Sequence, residues 1–172
     1  SWGQVLSFDQ DLWITFNTMR NFTVGPRLLG DIGGTHARFA WQAAANQPLQ
    51  DIQTLRCAEH DSLASALHSY IAQVVMPAPQ EAALGIASPI TGDTVRMTNH
   101  PWSFSIQALK QALSLQRLVV INDFTALALS LPDLPAEQLH AIGGGRAVAS
   151  APVALIGPGT GLGVSGLVPD GQ

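Results

Sequence analysis

The sequence predicts an α/β fold built on a mixed sheet. Three predicted strands come first, at the spacing of hairpins, and alternating helices and strands follow them. Each apolar run is short and closes in glycine or polar residues, as strands entering turns do. Hairpins followed by βα units give a sheet with both antiparallel and parallel strands and with helices on its faces.

The first three elements follow from Arg27 onward. Residues 28–32 form an apolar run that ends in Gly33 and Gly34, which is typical of a strand entering a tight turn. Residues 35–41 alternate apolar and polar side chains and predict the returning strand of a hairpin. A third strand is predicted around residues 52–55.

The later elements are predicted from capping residues and apolar runs. Asp61 or Ser62 begins a helix that places Leu63, Leu67, Ile71 and residues 74–75 on one face. The remaining predictions are a buried strand over 82–87, a helix capped by Ser105, an apolar strand over 118–121, a helix over 124–131, a buried strand over 153–156 and a strand over 164–168.

Composition excludes several classes of protein. Hydrophobic residues make up 47% and charged residues 12% of the chain, which indicates a folded core. The net charge is -4 and the basic residues are scattered, so a nucleic-acid partner is not expected. No run of about 18 apolar residues occurs, so a membrane span is not expected either.

One cysteine, Cys57, and no signal-peptide pattern predict a cytoplasmic protein. The histidines lack zinc-ligand spacing.

The turn after the first strand is the first candidate site. Gly33 and Gly34 would let backbone N–H groups approach an anion, and Thr35 adds a hydroxyl donor. Asp31 beside it could hold Mg²⁺ through water. The alternative is an ordinary hairpin turn with an aspartate at its edge.

Asn122 and Asp123 form the second candidate, at the carboxyl end of the 118–121 strand. A carboxylate there is well placed to act as a general base, because ligands of α/β sheets gather at strand carboxyl ends. The alternative is that Asp123 caps the following helix, and it could do both.

A glycine-rich run over residues 157–163 is the third candidate, suited to a backbone wrapped around a phosphate or a sugar. Residues 161–166 match G-x-G-x-x-G by letter. A strand, not a helix, is predicted after it, so a dinucleotide-binding motif is rejected. No Gly-Lys pair occurs in the chain, which excludes the phosphate loop of P-loop enzymes.

Five ordered motifs together resemble those of the bacterial glucokinases, over about residues 27–168. They are Leu-Gly-Asp31-Ile-Gly-Gly-Thr35-His-Ala-Arg38, Ser88-Pro-Ile-Thr-Gly-Asp93, Met97-Thr-Asn-His-Pro-Trp102-Ser-Phe-Ser105, Ile121-Asn-Asp-Phe-Thr-Ala126 and Gly157-Pro-Gly-Thr-Gly-Leu-Gly163. Each motif alone is a weak signal, and their order is what makes the resemblance specific.

The resemblance implies the actin-like ATPase fold and a glucokinase that phosphorylates glucose with ATP and Mg²⁺. By that similarity Asp31, Gly33, Gly34 and Thr35 bind phosphate, with Asp31 holding Mg²⁺ through water. Gly159, Thr160 and Gly161 would belong to a second phosphate hairpin. Asn122 would hold sugar hydroxyls, and Asp123 would bind the sugar and accept the proton of its 6-hydroxyl.

The resemblance also divides the chain. Residues 1–26 are an N-terminal extension, with Met19 as a candidate natural start and the residues before it as a candidate non-native segment. Residues 27–132 are the small domain, and residues 133–172 begin an incomplete large domain. Further sugar contacts of the family lie outside the chain, so we expect it to be inactive alone. A homodimer is expected for the full-length protein. The alternatives are a sugar-responsive regulator, a non-catalytic remnant, or a kinase of N-acetylhexosamine.

Overall fold

The computed structural model describes residues 3–6, 25–44, 47–134, 137, 139–146, 148, 150–158 and 162–169. These fall into two compact units: one within Met19–Asp123, the other formed by the described residues of Ser1–Thr18 and Phe124–Gln172. The two units are defined by which residues contact one another. The domain limits predicted from the sequence, 1–26, 27–132 and 133–172, stay predictions.

A five-stranded mixed sheet forms the first unit. Its strands, in spatial order, are β4 (Leu49–Arg56), β3 (His36–Gln42), β2 (Arg27–Ile32), β5 (Glu81–Ile86) and β8 (Arg117–Asn122). The β2–β3 and β3–β4 pairs are antiparallel, whereas the β2–β5 and β5–β8 pairs are parallel. The predicted α/β class with a mixed sheet is confirmed.

Two helices of this unit begin at serine caps. The Ser62 hydroxyl accepts a hydrogen bond from the Ser65 N–H at the start of α1 (Leu63–Gln73), and the Ser105 hydroxyl accepts one from the Ala108 N–H at the start of α2 (Ile106–Ala112). These bonds satisfy N–H groups that a helix start leaves unpaired. Ser62, not Asp61, is therefore the cap of α1. The prediction that Val75 shares the inner face of α1 is wrong, because the helix ends at Gln73 and Val75 is exposed.

The main core lies between one face of the sheet and these helices. Phe39 and Tyr70 pack with ring centroids 5.4 Å apart, and Leu63 and Leu67 of α1 are fully buried beside them. A small hairpin that the sequence did not predict, β6 (Thr94–Arg96) with β7 (Ser103–Ser105), adds Val95 to the buried residues. Apolar side chains at the alternate positions of β2, β3 and β5 thus place one sheet face inside.

The second unit contains the helix α3 (Asp123–Ser130), which starts at the last residue of the first unit. It also contains two antiparallel strand pairs: β1 (Gly3–Leu6) with β9 (Leu139–Ile142), and β10 (Val153–Pro158) with β11 (Leu162–Leu167). Neither β1 nor β9 was predicted. The strand over 153–156 is confirmed, but its predicted burial is wrong, because Val153 and Ile156 are exposed in this two-stranded sheet. The segment after Gly161 is a strand, as the rejection of a dinucleotide-binding motif required.

Among the helices described, none is long and apolar enough to cross a lipid bilayer.

Candidate active site

The two aspartates singled out in the sequence lie at one edge of the sheet. Strands β2, β5 and β8 are mutually parallel, so their carboxyl ends meet there, and Ile32, Ile86 and Asn122 align in the last row. Asp31 stands one row behind this edge, and Asp123 directly follows it. The sheet topology therefore brings together the first and second candidate sites.

Asp31 lies on the face of the sheet opposite the main core. Side chains alternate along a strand, and its neighbour Ile32 belongs to that core. In the row of Asp31 the next residues across the sheet are Gly85 and Ile121. Because Gly85 carries no side chain, no side chain of β5 stands between Asp31 and β8, two strand spacings or roughly 10 Å away.

Electrostatics link the two aspartates. The pKa of Asp31 is raised to about 6, chiefly because burial disfavours its charged form. Arg38, the residue directly across from Asp31 in the β2–β3 ladder, lowers that pKa, and the carboxylate of Asp123 raises it. Asp31 thus sits in a polar cluster where added positive charge would favour its ionised form.

Asn122 orients the carboxylate of Asp123. Its side-chain N–H₂ group donates to Asp123 Oδ1 at 2.9 Å and lies within reach of the main-chain oxygens of Ser88 at 3.3 Å and Ile86 at 3.4 Å. These partners belong to β5, the loop after it and the start of α3. Helix α3 begins at Asp123 itself, where the N-terminal dipole favours negative charge. Asp123 therefore has a helix-terminal role in addition to the predicted catalytic one, which stays a prediction.

The turn of residues 33–35 links β2 to β3 and is held by three hydrogen bonds. The Gly33 N–H donates to His36 O at 2.9 Å, the Cys57 N–H donates to Thr35 O at 2.9 Å, and the Cys57 thiol donates to Gly33 O at 3.4 Å. The side chain of Thr35 is exposed. The 33–35 turn thus has a fixed backbone and a hydroxyl open to a ligand.

The position of Gly34 leaves no room for a side chain. A Cβ atom added there would lie 2.9 Å from both the Cβ and the main-chain oxygen of Asn99. Asn99 belongs to a loop whose Thr98 N–H donates to the hydroxyl of buried Ser88 at 2.9 Å. The 33–35 turn is therefore packed closely against a second loop of the same unit.

The second phosphate-binding segment and the Mg²⁺ site are two predicted parts of the site that stay predictions. Gly159, Thr160 and Gly161 lie outside the described residues. No cluster of three or more His, Cys, Asp or Glu side chains that could hold a metal occurs among the residues that the structure describes. Mg²⁺ does not need such a cluster, since it commonly uses one or two carboxylates, water and substrate phosphates. The electrostatic coupling of Asp31 and Asp123 fits a cation at this edge.

Three contacts around the site were not predicted from sequence: those of Arg38, Cys57 and Asn99. Arg38 lies opposite Asp31 because the hairpin turn is centred on Gly34 and Thr35. A turn centred on Gly33 and Gly34, as the sequence suggested, would have placed His36 there. Nothing local marks Cys57 or Asn99, which reach the 33–35 turn from segments far along the chain.

The raised pKa of Asp31 predicts a pH dependence. The folded protein binds the Asp31 proton more tightly than the unfolded chain does, so this group stabilises the fold below about pH 4 and the stability is lost as pH rises through about 6. An Asp31→Asn variant should therefore unfold at a higher temperature than wild type at pH 8. Its free energy of unfolding should be larger by about 3 kcal/mol at most. The gain should vanish at pH 4.

Asp93 provides a control of opposite sign. Hydrogen bonds from the Ser105 hydroxyl and the Gln107 N–H hold the pKa of its carboxyl below the ordinary value. Asp93→Asn should therefore lower the unfolding temperature at pH 8, with a smaller loss at pH 3. Thermal unfolding of both variants across this pH range measures the two effects, and an Asp31→Asn variant less stable than wild type at pH 8 would contradict the account.

The mixed sheet, with a glycine turn after its first strand and carboxylates at its carboxyl edge, defines a protein of the actin-like ATPase fold. A sequence profile described as glucokinase matches residues 28–172. The chain belongs to the glucokinase family.

Individual relatives agree with this assignment. The chain is 58% identical over 144 residues to a glucokinase of Aromatoleum aromaticum, a match that covers 83% of this chain and 44% of that protein. It is similar to the crystal structure of a glucokinase from an Antarctic psychrotroph, at 38% identity and a TM-score of 0.75, over 85% of this chain and 47% of the other. A glucokinase structure from Balamuthia mandrillaris, at 17% identity, a TM-score of 0.56 and coverage of 95% and 50%, shows the fold alone. The chain spans under half the length of the curated relatives it matches.

Proposed function

We propose that the natural protein, in its full length, is a glucokinase that transfers the γ-phosphoryl group of ATP to the 6-hydroxyl of glucose. The observation that carries the proposal is the meeting of Asp31, Asp123 and the 33–35 turn at one edge of the sheet. Phosphoryl transfer depends on positioning the reactants and on stabilising the charge of the phosphoryl group. A turn that binds phosphate beside a general base would do both. The sugar is proposed from the relatives named glucokinase.

Asp123 is proposed to start the reaction. Its carboxylate, held by the Asn122 side chain at 2.9 Å, accepts the proton of the sugar 6-hydroxyl. The oxygen freed of that proton attacks the γ-phosphorus as the bond from this phosphorus to the β,γ-bridging oxygen breaks, leaving ADP. Asn122 also binds sugar hydroxyls in this proposal.

The 33–35 turn is proposed to bind the nucleotide phosphates. The backbone N–H of Gly34 and the exposed hydroxyl of Thr35 are donors suited to phosphate oxygens. The N–H of Gly33 already donates to His36 O, so Gly33 is proposed to contribute the shape of the turn. Asp31, ionised above about pH 6, would hold Mg²⁺ through water. When bound, Mg²⁺ supplies charge neutralisation on the phosphate oxygens. Gly159, Thr160 and Gly161 are proposed to bind phosphate as well, by family resemblance.

A coupled assay with glucose and Mg·ATP tests the proposal. The natural full-length protein should produce ADP and a sugar phosphate in equal amounts. A chain of residues 1–172 alone should show negligible turnover, because its match covers only 44% of a glucokinase relative. N-acetylhexosamine in place of glucose tests the substrate alternative. Full-length protein with no turnover on either sugar would overturn the proposal in favour of a regulator or a remnant.

A homodimer and a cytoplasmic location complete the proposal. The buried free thiol of Cys57 supports a reducing compartment. Light scattering of the full-length protein after size exclusion would measure the oligomeric state, and a monomer at assay concentration would contradict the dimer.

A further inference from the structure

Cys57 is buried directly beneath the 33–35 turn. It is the first residue of a short 3₁₀ turn, Cys57–Glu59, that follows β4. It is fully buried in the main core, and both its backbone N–H and its thiol donate to the 33–35 turn, to Thr35 O at 2.9 Å and Gly33 O at 3.4 Å. One side chain and one peptide group thus hold the carbonyls on either side of Gly34.

These two bonds fix the direction of the neighbouring N–H groups. A trans peptide is planar, with its C=O and N–H pointing to opposite sides. The Gly33 carbonyl points to the Cys57 sulfur, so the N–H of Gly34 points away from Cys57. The Thr35 carbonyl points to the Cys57 N–H, so the N–H of His36 also points away. Cys57 therefore sets the side on which this turn presents its donors.

Asn99 confines the same turn at a second place. Its Cβ and main-chain oxygen pack so closely on Gly34 that a Cβ there would lie 2.9 Å from each. A shift of the turn toward Asn99 is thus blocked by contact, and a shift away from the core would stretch the bonds to Cys57. The backbone of the 33–35 turn is held by both residues.

We infer that Cys57 is a positioning residue for phosphate binding: its thiol and its N–H hold the 33–35 turn with the Gly34 and His36 amides directed at the nucleotide phosphates. The inference rests on the proposed function, since it names the device that prepares that site for ATP. It assigns Cys57 no contact with substrate. Because Cys57 holds the turn in its binding conformation beforehand, the turn does not have to rearrange when the anion binds, and the free-energy cost of binding is lower.

The chemistry of the buried thiol suits this role. Burial raises the pKa of Cys57, so the sulfur keeps its proton through the neutral range and acts as a hydrogen-bond donor. A buried, protonated thiol is a poor nucleophile and a poor redox centre. The environment of Cys57 is therefore that of a structural donor aimed at one carbonyl.

The experiment compares Cys57→Ala, which removes the side-chain donor, with Cys57→Ser, which keeps one, in the full-length protein. Tyr70→Phe is the matched control, because it removes a single hydrogen bond, from the Tyr70 hydroxyl to Asp51 O at 3.0 Å, elsewhere in the same unit. Calorimetry measures the Kd of Mg·ADP, and steady-state kinetics measure KM for ATP and for glucose. Thermal unfolding confirms that each variant is folded.

Cys57→Ala should weaken Mg·ADP binding by roughly 5- to 10-fold, the scale of one hydrogen bond. KM for ATP should rise in parallel while KM for glucose stays within about twofold of wild type, a split that a loss of stability alone would not give. Cys57→Ser should recover most of the lost affinity, and Tyr70→Phe should bind Mg·ADP as wild type does.

Several results would overturn the inference. They are unchanged Mg·ADP binding in Cys57→Ala, equal loss in Cys57→Ser, or equal loss in Tyr70→Phe. The fate of the proposed function is separable, because wild type that binds Mg·ADP but does not phosphorylate glucose overturns only that function. Wild type that binds no Mg·ADP overturns both.

Discussion

An Asp123→Asn variant of the full-length protein is expected to lose kcat by roughly 10²- to 10⁴-fold, the usual contribution of a general base. The amide cannot accept the proton of the sugar hydroxyl, whereas it keeps an oxygen that can accept the Asn122 hydrogen bond. The local geometry should therefore survive, and KM for ATP should change little. Steady-state kinetics with glucose and ATP measure both parameters.

Asp61→Asn is the control for this variant. Asp61 is an exposed aspartate of the same unit that precedes α1. Its replacement should leave kcat near the wild-type value. If Asp123→Asn retained more than about a tenth of wild-type kcat, Asp123 would not be the base, and its place at the start of α3 would be its main role.

The second large effect is expected at Gly34. In Gly34→Ala the added Cβ would lie 2.9 Å from the main-chain oxygen of Asn99, so the 33–35 turn or the Asn99 loop must move. A displacement of a binding element by about 1 Å can cost on the order of 10²-fold in rate. We therefore expect kcat/KM for ATP to fall by roughly 10- to 100-fold.

Gly92→Ala is its matched control, because a Cβ at Gly92 would meet no atom within 4 Å. Both variants make the same chemical change in the same unit, and only one disturbs the turn. Equal kinetics in the two variants would show that the contact between Gly34 and Asn99 does not position the site.

Much of the sheet could be predicted because its signals are local. The apolar runs of β2, β5 and β8, and the serines at the starts of α1 and α2, mark their elements within a few residues. The alignment of strand carboxyl ends then follows from parallel pairing, which is why Asp31 and Asp123 could be expected at one edge.

What could not be predicted depends on contacts distant in sequence. The β1–β9 pair joins residues more than a hundred positions apart, and β1 carries no periodic pattern. The burial of the 153–156 strand was predicted wrongly because an apolar run does not show what covers it. Cys57 reaches Gly33 only because β4 folds back beside β3. The register of that pair shifts at a bulge between Phe39 and Trp41, which no local pattern marks.

The most direct test of the central claim is phosphorus NMR of a reaction of full-length protein with glucose and Mg·ATP. The account predicts a sugar phosphomonoester resonance that grows in step with ADP, with phosphate on the 6-oxygen, and that is nearly absent with Asp123→Asn. Release of inorganic phosphate without a sugar phosphate, or ATP that persists unchanged, would contradict it.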